Sequence, residues 1–252
     1  MANTNKILSV EKVTKTFGKG NSLTKAVDNL SFSVKKGEFL AIMGASGSGK
    51  STTLNLISTI DRPTSGQIFV DGTDITKLKG EKLNRFRRES LGFIFQDFNL
   101  LDNLTAYENI ALALSIQNVK ASEIDEKVKA VAKNLDIEAI LQKFPYQLSG
   151  GQKQRVASAR AIITNPKMMI LDEATSNVDT RTEQIIQRAF DKLTEGRTSF
   201  VIAHRLSTIR NADVILVMKE GNIVEYGNHD ELMKLDGFYA ELYNSQFSEE
   251  AE

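Results

Sequence analysis

The sequence predicts an α/β fold in which a core of parallel strands, covered by helices, is joined to a smaller antiparallel part. Short runs that are apolar at every position alternate with helix-like stretches, and such runs are typical of strands covered on both faces. They lie at 39–43, 168–171, 200–203 and 214–218. The antiparallel part is predicted by two hairpin patterns, over 66–76 around Asp71-Gly72 and over 215–226 around Glu220-Gly221-Asn222.

Helices are predicted between the strands. A helix from Ser51 to Ile60 follows the first apolar run, and the middle of the chain is mostly helical in pattern, most clearly at Thr105–Gln117 and Ser122–Leu135. Thr105 and Glu108 have the spacing of a capping box, which marks the start of a helix. We therefore expect one domain over 1–252 with an inserted helical subdomain. The predicted parts are a core with the antiparallel strands over about 1–95 and 165–246 and a helical subdomain over about 97–164.

Composition excludes several classes of protein. The 252 residues carry 32 basic and 32 acidic side chains, so no overall charge attracts nucleic acid or an anionic membrane surface. The absence of cysteine excludes disulfides and thiolate chemistry, and two histidines are too few for a histidine-rich metal site. No apolar run approaches the roughly 20 residues that span a bilayer, and Met1–Val10 lacks the apolar core of a secretory signal. We expect a cytoplasmic protein.

A phosphate-binding loop is predicted after the first apolar run. Residues Gly44 to Ser51 fit the pattern G-x-x-x-x-G-K-[ST] between a predicted strand and a predicted helix. Glycines let backbone N–H groups turn toward phosphate oxygens, and the following helix adds the positive end of its dipole. Lys50 supplies a charge for the β- and γ-phosphates, and the Ser51 hydroxyl can bind Mg²⁺. A glycine-rich turn with a surface lysine is the simpler alternative, but the strand–loop–helix order favours nucleotide binding.

An acidic partner for this loop is expected at the end of a neighbouring strand. The apolar run 168–171 is followed by Asp172 and Glu173. Asp172 would hold Mg²⁺ as the second anchor beside Ser51, and Glu173 is the candidate that polarises an attacking water. A solvated pair of carboxylates at a strand end is the alternative, which the preceding phosphate loop disfavours.

A glycine pair at the start of another predicted helix points to one family. In Leu148-Ser149-Gly150-Gly151-Gln152, Ser149 can cap a helix over 152–163 whose exposed backbone N–H groups would attract an anion. With Lys153-Gln154-Arg155 after it, and about twenty residues before Asp172, this stretch resembles the signature of the ATP-binding cassette (ABC) ATPases. The resemblance covers nearly the whole chain. It implies a P-loop NTPase fold with a RecA-like parallel-sheet core, an antiparallel β subdomain and an inserted helical subdomain.

Further elements of that family follow in the expected order. Phe17 resembles the aromatic residue that stacks on adenine, and Gln96 resembles the glutamine that reaches Mg²⁺ and the attacking water. Asp179 lies in a stretch similar to the loop that crosses the dimer interface, and His204 matches the histidine that contacts the γ-phosphate. His229 matches no such element, and we expect it to be structural.

The resemblance implies an ATPase that uses ATP and Mg²⁺ and acts as a pair of chains. Ser149 and Gly151 would contact the γ-phosphate bound by a second copy, so that two chains enclose two ATP molecules head to tail. The implied catalytic residues are Glu173, His204, Gln96 and Lys50, and the implied Mg²⁺ ligands are Ser51, Gln96 and Asp172. The implied nucleotide contacts are Phe17, Gly44, Ala45, Ser46, Gly47, Ser48, Gly49, Lys50, Ser51, Thr52, Ser149, Gly150, Gly151, Gln152 and Asp179.

Two subtypes of the family are mixed in this chain. Residues 1–170 resemble stand-alone ATPase subunits of the lipoprotein-release, macrolide-export and antimicrobial-peptide-resistance type. Residues 171–245 resemble the ATPase domains of exporters that carry both domains in one chain. The stretches that carry these resemblances are 24–30, 61–66 and 145–147 for the first type and 172–179 and 204–208 for the second. The helical insert that would touch a membrane subunit belongs to the first part, and an engineered or recombined sequence is a further explanation of the mixture.

The resulting prediction is the ATPase subunit of an ABC transporter, peripheral on the inner face of the cell membrane. It would drive a separate transmembrane permease subunit for export of a lipid, lipoprotein, peptide or drug. The alternative is a soluble ABC ATPase acting on ribosomes or DNA. Those relatives usually have two cassettes, long coiled coils or zinc-binding cysteines, and this sequence matches none of these, so no nucleic-acid partner is expected. A generic P-loop kinase or GTPase is disfavoured by the signature and by His204.

Overall fold

The structure is a computed structural model that describes residues 5–94, 97–172, 197–202 and 209–247. The chain divides into two compact units, which we call the first unit (1–83 and 198–252) and the second unit (84–197). The predicted single domain with its helical subdomain over 97–164 stays a prediction.

The described residues form the following strands and helices. The strands are β1 Lys6–Phe17, β2 Thr24–Lys35, β3 Phe39–Gly44, β4 Ser65–Val70, β5 Thr73–Asp74, β6 Leu91–Ile94, β7 Met168–Asp172, β8 Thr198–Ile202, β9 Val214–Lys219 and β10 Asn222–Gly227. The α-helices are α1 Lys50–Ile57, α2 Gly80–Ser90, α3 Ala106–Ile116, α4 Ala121–Asn134, α5 Gly150–Ile162, α6 His229–Leu235 and α7 Phe238–Phe247. Short 3₁₀ turns lie at Gly20–Ser22, Ile75–Lys77, Glu138–Ile140 and Pro145–Gln147.

A mostly parallel sheet forms the core of the first unit. Strands β10, β9, β3 and β8 lie side by side, with β3 parallel to both β8 and β9 and with β10 antiparallel to β9. Residues 40–43 of β3 and 215–218 of β9 are at most 1% exposed, because both faces of these strands are covered. The apolar runs therefore predicted these strands correctly, and the hairpin predicted over 215–226 is confirmed as β9–β10.

The first unit also contains the predicted antiparallel part, as a sheet in the order β2-β1-β4-β5. The hairpin around Asp71-Gly72 joins β4 and β5, but it is shorter than predicted. Ile75 was expected in the hairpin strand and instead begins a 3₁₀ turn. The side chain of Asp74 accepts a hydrogen bond from the backbone N–H of Thr76 at 3.1 Å, and such a bond favours a turn over continued strand pairing.

Helices α3, α4 and α5 pack their apolar side chains together in the second unit. The three helices predicted there are confirmed, with ends shifted by one or two residues. The capping box predicted at Thr105 is present, because Thr105 Oγ1 accepts from the Glu108 N–H at 3.2 Å and Glu108 Oε2 accepts from the Thr105 N–H at 2.7 Å. Strands β6 and β7 pair in parallel in the same unit. The buried core of the helices includes Ile110, Leu114, Val128, Ala132, Leu148 and Val156.

Two short helices follow β10 in the first unit. Asn228 caps α6 through a capping box with Glu231, and His229 Nδ1 lies 2.7 Å from the hydroxyl of the fully buried Tyr239 on α7. His229 therefore helps to join the two helices, as a structural role requires. In the part of the chain that the structure describes, no helix combines the length and the apolar character that a membrane crossing needs.

Candidate nucleotide-binding site

The loop between β3 and α1 has the backbone path of a phosphate-binding loop. Gly44, Gly47 and Gly49 have φ angles of 153°, 77° and 101°, in the region that favours glycine. A Cβ atom on Gly44 would lie 2.3 Å from the carbonyl oxygen of Met218, and one on Gly49 would lie 2.4 Å from that of Ala26. The glycines of the sequence motif are therefore required by the path of the backbone.

The loop leads directly into the N-terminus of α1. The helix begins at Lys50 with Gly49 as its N-cap, and its first backbone hydrogen bond is donated by Thr53 to the Gly49 carbonyl at 2.8 Å. The N–H groups of Lys50, Ser51 and Thr52 come earlier and have no carbonyl one turn before them to bind. The first turn of α1 carries no acidic side chain of its own that would offset the positive end of the helix dipole. This end of α1 is suited to an anion.

Lys50 points back over the loop. Its Nζ donates to the carbonyl oxygens of Gly44 and Ala45, each at 2.8 Å. Burial lowers the pKa of the Lys50 ammonium, because the surrounding protein solvates the charge less well than water does. A phosphate oxyanion in the loop would offer this ammonium a charged acceptor in place of two neutral ones, which makes a stronger hydrogen bond.

Ser48 adds a second polar group to the same loop. The residue is 4% exposed, and its hydroxyl has no hydrogen-bond partner among the described residues. A buried hydroxyl is costly without a partner. A phosphate oxygen would satisfy it, so the loop fits the group that its sequence predicts.

The tip of the β9–β10 hairpin is hydrogen-bonded to the phosphate-binding loop. The N–H of Gly221 donates to the Ser48 carbonyl at 3.0 Å, and the N–H of Asp28 donates to the Gly221 carbonyl at 2.9 Å. The tip thus connects the phosphate loop to β2. The sequence predicted this hairpin as a turn, but nothing local in the sequence indicates what the turn contacts.

Phe17 stands close to the loop in the first unit. It is the last residue of β1, it is 46% exposed, and it pairs with Thr24 of β2. Two residues further along β2, Ala26 places its carbonyl oxygen against Gly49. Because a strand advances about 3.3 Å per residue, the strand position paired with Phe17 lies about 7 Å from the contact with the phosphate loop. An exposed ring at this place is available to stack on a nucleotide base.

A pair of residues beside Phe17 was not predicted from the sequence. Lys15 Nζ lies 4.9 Å from the centre of the Phe17 ring and donates to Asp61 Oδ1 at 2.6 Å and to the Arg62 carbonyl at 2.8 Å. Lys15 and Asp61 are 46 positions apart, so no local pattern connects them. Only the fold brings them together.

The second unit contains the predicted signature, and Ser149 caps α5 as expected. Ser149 Oγ accepts from the Gln152 N–H at 3.3 Å, and Gln152 Oε1 accepts from the Ser149 N–H at 3.0 Å. Leu148 is buried in the core of the unit, whereas Ser149 and Gly150 are exposed and Gly151 is buried. The helix end is therefore anchored on one side and presented to solvent on the other.

Asp172 is the last residue of β7, also in the second unit. Residues 168–171 of the strand are at most 1% exposed, and Asp172 is partly exposed. The carboxyl ends of parallel strands are where α/β proteins place residues that bind ligands. The other predicted site residues, Gln96, Glu173, Asp179 and His204, lie outside the described residues.

The sequence also matches a known family over more than half its length. Residues 27–176 fit the family model described as ABC transporter. The chain belongs to the ABC transporter family. It is 42% identical over 219 residues to the ABC transporter ATP-binding protein YxdL of Bacillus subtilis (strain 168), and the match covers 86% of this chain and 85% of that relative.

A second ABC relative is a longer protein. The chain is 43% identical over 233 residues to the ATP-dependent lipid A-core flippase of Methylobacillus flagellatus, with 88% of this chain but only 38% of the flippase in the match. The chain therefore spans well under half the length of that relative.

The fold is shared with a solved ABC cassette. The structure superposes with a TM-score of 0.80 and 36% identity on one described as a dimeric, post-hydrolysis state of the ATP-binding cassette MJ0796 bound to ADP and Pi. That superposition covers 88% of this chain and 98% of the cassette. The predictions of family and fold class are confirmed, and the chain is an ABC ATPase.

Proposed function

We propose that this chain binds ATP with its phosphate loop and Phe17, hydrolyses it in a head-to-tail dimer, and drives a separate membrane subunit. One observation carries the proposal: the glycine backbone of the loop, the N-terminus of α1 and the Lys50 ammonium converge on one place. Each of these favours an anion, and together they suit the negative charge of a nucleotide's phosphates.

The assignment of roles within the site follows the family resemblance. Residues 44–52 would enclose the phosphates, and the exposed ring of Phe17 would stack on the adenine, close to the loop along β2. The structure supports this division, because the loop is lined by N–H groups and an ammonium, whereas Phe17 offers an apolar ring.

Ser51, Gln96 and Asp172 would hold Mg²⁺. Their hydroxyl, amide and carboxylate oxygens are ligands that this hard cation prefers. When bound, Mg²⁺ would neutralise charge on the β- and γ-phosphates.

A second copy of the chain would complete each site. Ser149 and Gly150 are exposed at the N-terminus of α5, where they are free of the packing that buries Leu148. With Gly151 and Gln152 they would contact the γ-phosphate held by the other copy, and Asp179 would lie in the loop that crosses the interface. The dimeric state of the similar MJ0796 cassette supports the pairing of two copies.

Hydrolysis would take place between the two copies. Glu173 would accept a proton from a water molecule while the oxygen of that water attacks the γ-phosphorus. The bond from this phosphorus to the β–γ bridging oxygen would break to give ADP and phosphate. Gln96 would orient the water, His204 would contact the γ-phosphate, and Lys50 would stabilise the charge on the phosphoryl oxygens.

Transport would follow from the change between closed and open dimers. ATP bound by both copies favours the closed dimer, and hydrolysis removes that preference, so the two states can work on a membrane partner. We propose a transmembrane permease as that partner, a location on the inner face of the cell membrane, and export of a lipid, lipoprotein, peptide or drug. The relationship to a lipid A-core flippase supports a lipid as the substrate class.

The catalytic part of the proposal is tested with two variants. Glu173→Gln keeps the shape of the side chain and removes the base, so hydrolysis should fall by roughly 10²–10⁴-fold while ATP binding persists and a dimer accumulates on gel filtration. Lys50→Ala should instead weaken the binding of labelled ATP. Hydrolysis at the parent rate by Glu173→Gln would contradict the role of Glu173, and unchanged ATP affinity in Lys50→Ala would contradict that of the loop.

The partner is tested by co-purification. The tagged Glu173→Gln chain, with ATP present, should recover a transmembrane protein from detergent-solubilised membranes and not co-sediment with ribosomes or DNA. Recovery with ribosomes alone would replace the transporter proposal with the alternative of a soluble ABC ATPase. Reconstitution of the recovered complex into vesicles then tests direction, and uptake instead of export would overturn that part of the proposal.

A further inference from the structure

We propose that Lys15 and Asp61 are positioning residues that hold the Phe17 ring in place for the nucleotide base and tie it to the helix of the phosphate loop. The inference rests on the proposed role of Phe17 in ATP binding. It also assigns a role to Asp61. This residue lies in the stretch 61–66, which resembles one subtype of the family and has no role in the proposed mechanism.

The Lys15 ammonium covers one face of the ring and is itself held firmly. It lies 4.9 Å from the ring centre and is held by hydrogen bonds to Asp61 Oδ1 and the Arg62 carbonyl. The Lys15 side chain is 13% exposed, so little freedom remains to it. A cation over one face of an aromatic ring attracts that ring and leaves the opposite face for another planar group.

Asp61 is fixed in turn to the end of α1. Its backbone N–H donates to the carbonyl of Asn55 in the last turns of that helix at 3.1 Å, and its Oδ1 also accepts from the Arg62 N–H at 2.6 Å. The same helix has its N-terminus at the phosphate loop. A continuous series of contacts thus runs from the phosphate loop through α1, Asp61 and Lys15 to the ring of Phe17.

A second set of bonds holds the strand on both sides of Lys15. Thr64 Oγ1 accepts from the Thr16 N–H at 3.0 Å, and the Thr64 N–H donates to the Thr14 carbonyl at 2.8 Å. The segment from Asp61 to Thr64 therefore forms hydrogen bonds with both the backbone of β1 and the side chain of Lys15. These bonds set the position of the last residue of β1, which is Phe17.

The charges indicate that Lys15 acts on the base and not on the phosphates. Its ammonium is paired with a carboxylate at 2.6 Å, so the pair as a whole carries no net charge to attract a triphosphate. Burial would raise the pKa of Asp61, but the bonds from Lys15 and Arg62 outweigh it and lower that pKa, which keeps the pair ionised. Loss of Lys15 should therefore weaken ATP binding without weakening the binding of phosphates alone.

The test uses the full chain and the variant Lys15→Met, which keeps the length of the side chain and removes its charge. We expect the dissociation constant and KM for ATP to rise about 3–10-fold with kcat unchanged, since one cation–π contact and the order it imposes are lost. The dissociation constant for inorganic tripolyphosphate should stay at the parent value. Lys15→Arg should restore ATP affinity, because a guanidinium can cover the ring and bind Asp61.

A matched control is available in the same sheet. The exposed Lys35 forms an ion pair with Glu38 at 3.3 Å. Among the described residues, no cation–π contact involves Lys35. Lys35→Met should leave both affinities unchanged. If Lys15→Met fails to fold, as judged by circular dichroism, Asp61→Asn provides the same test with a smaller loss of ATP affinity.

The decisive measurement combines Lys15→Met with Phe17→Ala. Because Lys15 is proposed to act through the ring, the added Lys15 substitution should change nothing once the ring is absent. An equal effect of Lys15→Met with and without Phe17, or weaker tripolyphosphate binding, would overturn the inference. If Phe17→Ala leaves ATP affinity unchanged, the proposed role of Phe17 fails first; if it weakens binding and Lys15→Met does not, only the positioning role fails.

Discussion

Ser149 has two separable tasks, and one substitution should reveal both. In this chain its hydroxyl accepts the Gln152 N–H and caps α5, and in the proposed dimer it also binds the γ-phosphate of the other copy. Ser149→Ala removes one N-cap, which costs about 1 kcal/mol. For a chain of this length that lowers Tm by about 2–4 °C.

The effect on the dimer should be much larger. A hydrogen bond to a charged group contributes about 1.5–3 kcal/mol, and a symmetric dimer contains two such contacts. Their loss, about 3–6 kcal/mol, corresponds to a dimer dissociation constant about 10²–10⁴-fold higher. Sedimentation velocity with saturating ATP, in the Glu173→Gln background that blocks hydrolysis, measures this constant directly.

Thr105 supplies the matched control, because it forms the same kind of capping box at α3 in the same unit, with a 3.2 Å bond to the Glu108 N–H. Thr105→Ala should lower Tm by a similar amount and leave the dimer intact. Ser149→Asp should keep the cap and abolish the dimer, since its carboxylate repels the phosphate. Equal dimer constants for Ser149→Ala and Thr105→Ala would refute the second task of Ser149.

Two further predictions concern the first unit. Gly49→Ala places a Cβ 2.4 Å from the Ala26 carbonyl at a φ of 101°, so we expect more than about 2 kcal/mol of lost stability in urea unfolding and no measurable ATP binding. Gly72→Ala, at a φ of 76° with open space around the added Cβ, should lose about 1 kcal/mol and bind ATP like the parent. At Asp74, burial would raise the pKa, but side-chain hydrogen bonds, the largest from Lys77, hold it at about 2, below the usual 3.8. Ionised Asp74 therefore stabilises the fold above about pH 4, and this contribution disappears as the pH falls toward 2. Asp74→Asn should lower the free energy of unfolding by about 1–2 kcal/mol at pH 7, and the difference from the parent should shrink between pH 4 and pH 2; a constant difference would contradict the assignment.

The strands of the parallel sheet were predictable because their residues are buried on both faces. Every position of β9 from 214 to 218 is apolar, and a short run of that kind has few other structures open to it. The long strands β1 and β2 lacked such a signal. Their pairing contains register shifts, as between Val10 and Val13, which break the two-residue alternation of buried and exposed side chains.

The helix α2 was missed for a related reason. Ser90 is the one buried residue of α2, and the two apolar side chains of the helix, Leu83 and Phe86, stay partly exposed. Two such positions are too few to mark a helix in the sequence. Amphipathic helices such as α4, which buries Val128 and Ala132 four positions apart, carry that stripe and were predicted. Helix propensity alone is a weak signal beside it.

In the candidate site, too, contiguous motifs were predictable from the sequence, whereas contacts between distant segments were not. The phosphate loop and the capped helix at Ser149 are contiguous stretches whose geometry depends on their own glycines and hydroxyls, so both were predicted from local residues. The signature itself was identified through the family resemblance. The pairing of Lys15 with Asp61 depends on two segments that meet only in the folded chain. Long-range pairs of this kind are not visible in a single sequence.

The contact between Gly221 and Ser48 has a practical consequence for protein engineering. Hairpin tips usually accept inserted peptides, tags or whole domains, because their backbone groups face solvent. At Gly221 the N–H and the carbonyl are both committed, one to the phosphate loop and the other to Asp28. An epitope tag or fluorescent reporter placed at this turn would break both hydrogen bonds and displace the loop proposed to bind ATP, although the turn lies at the edge of the sheet.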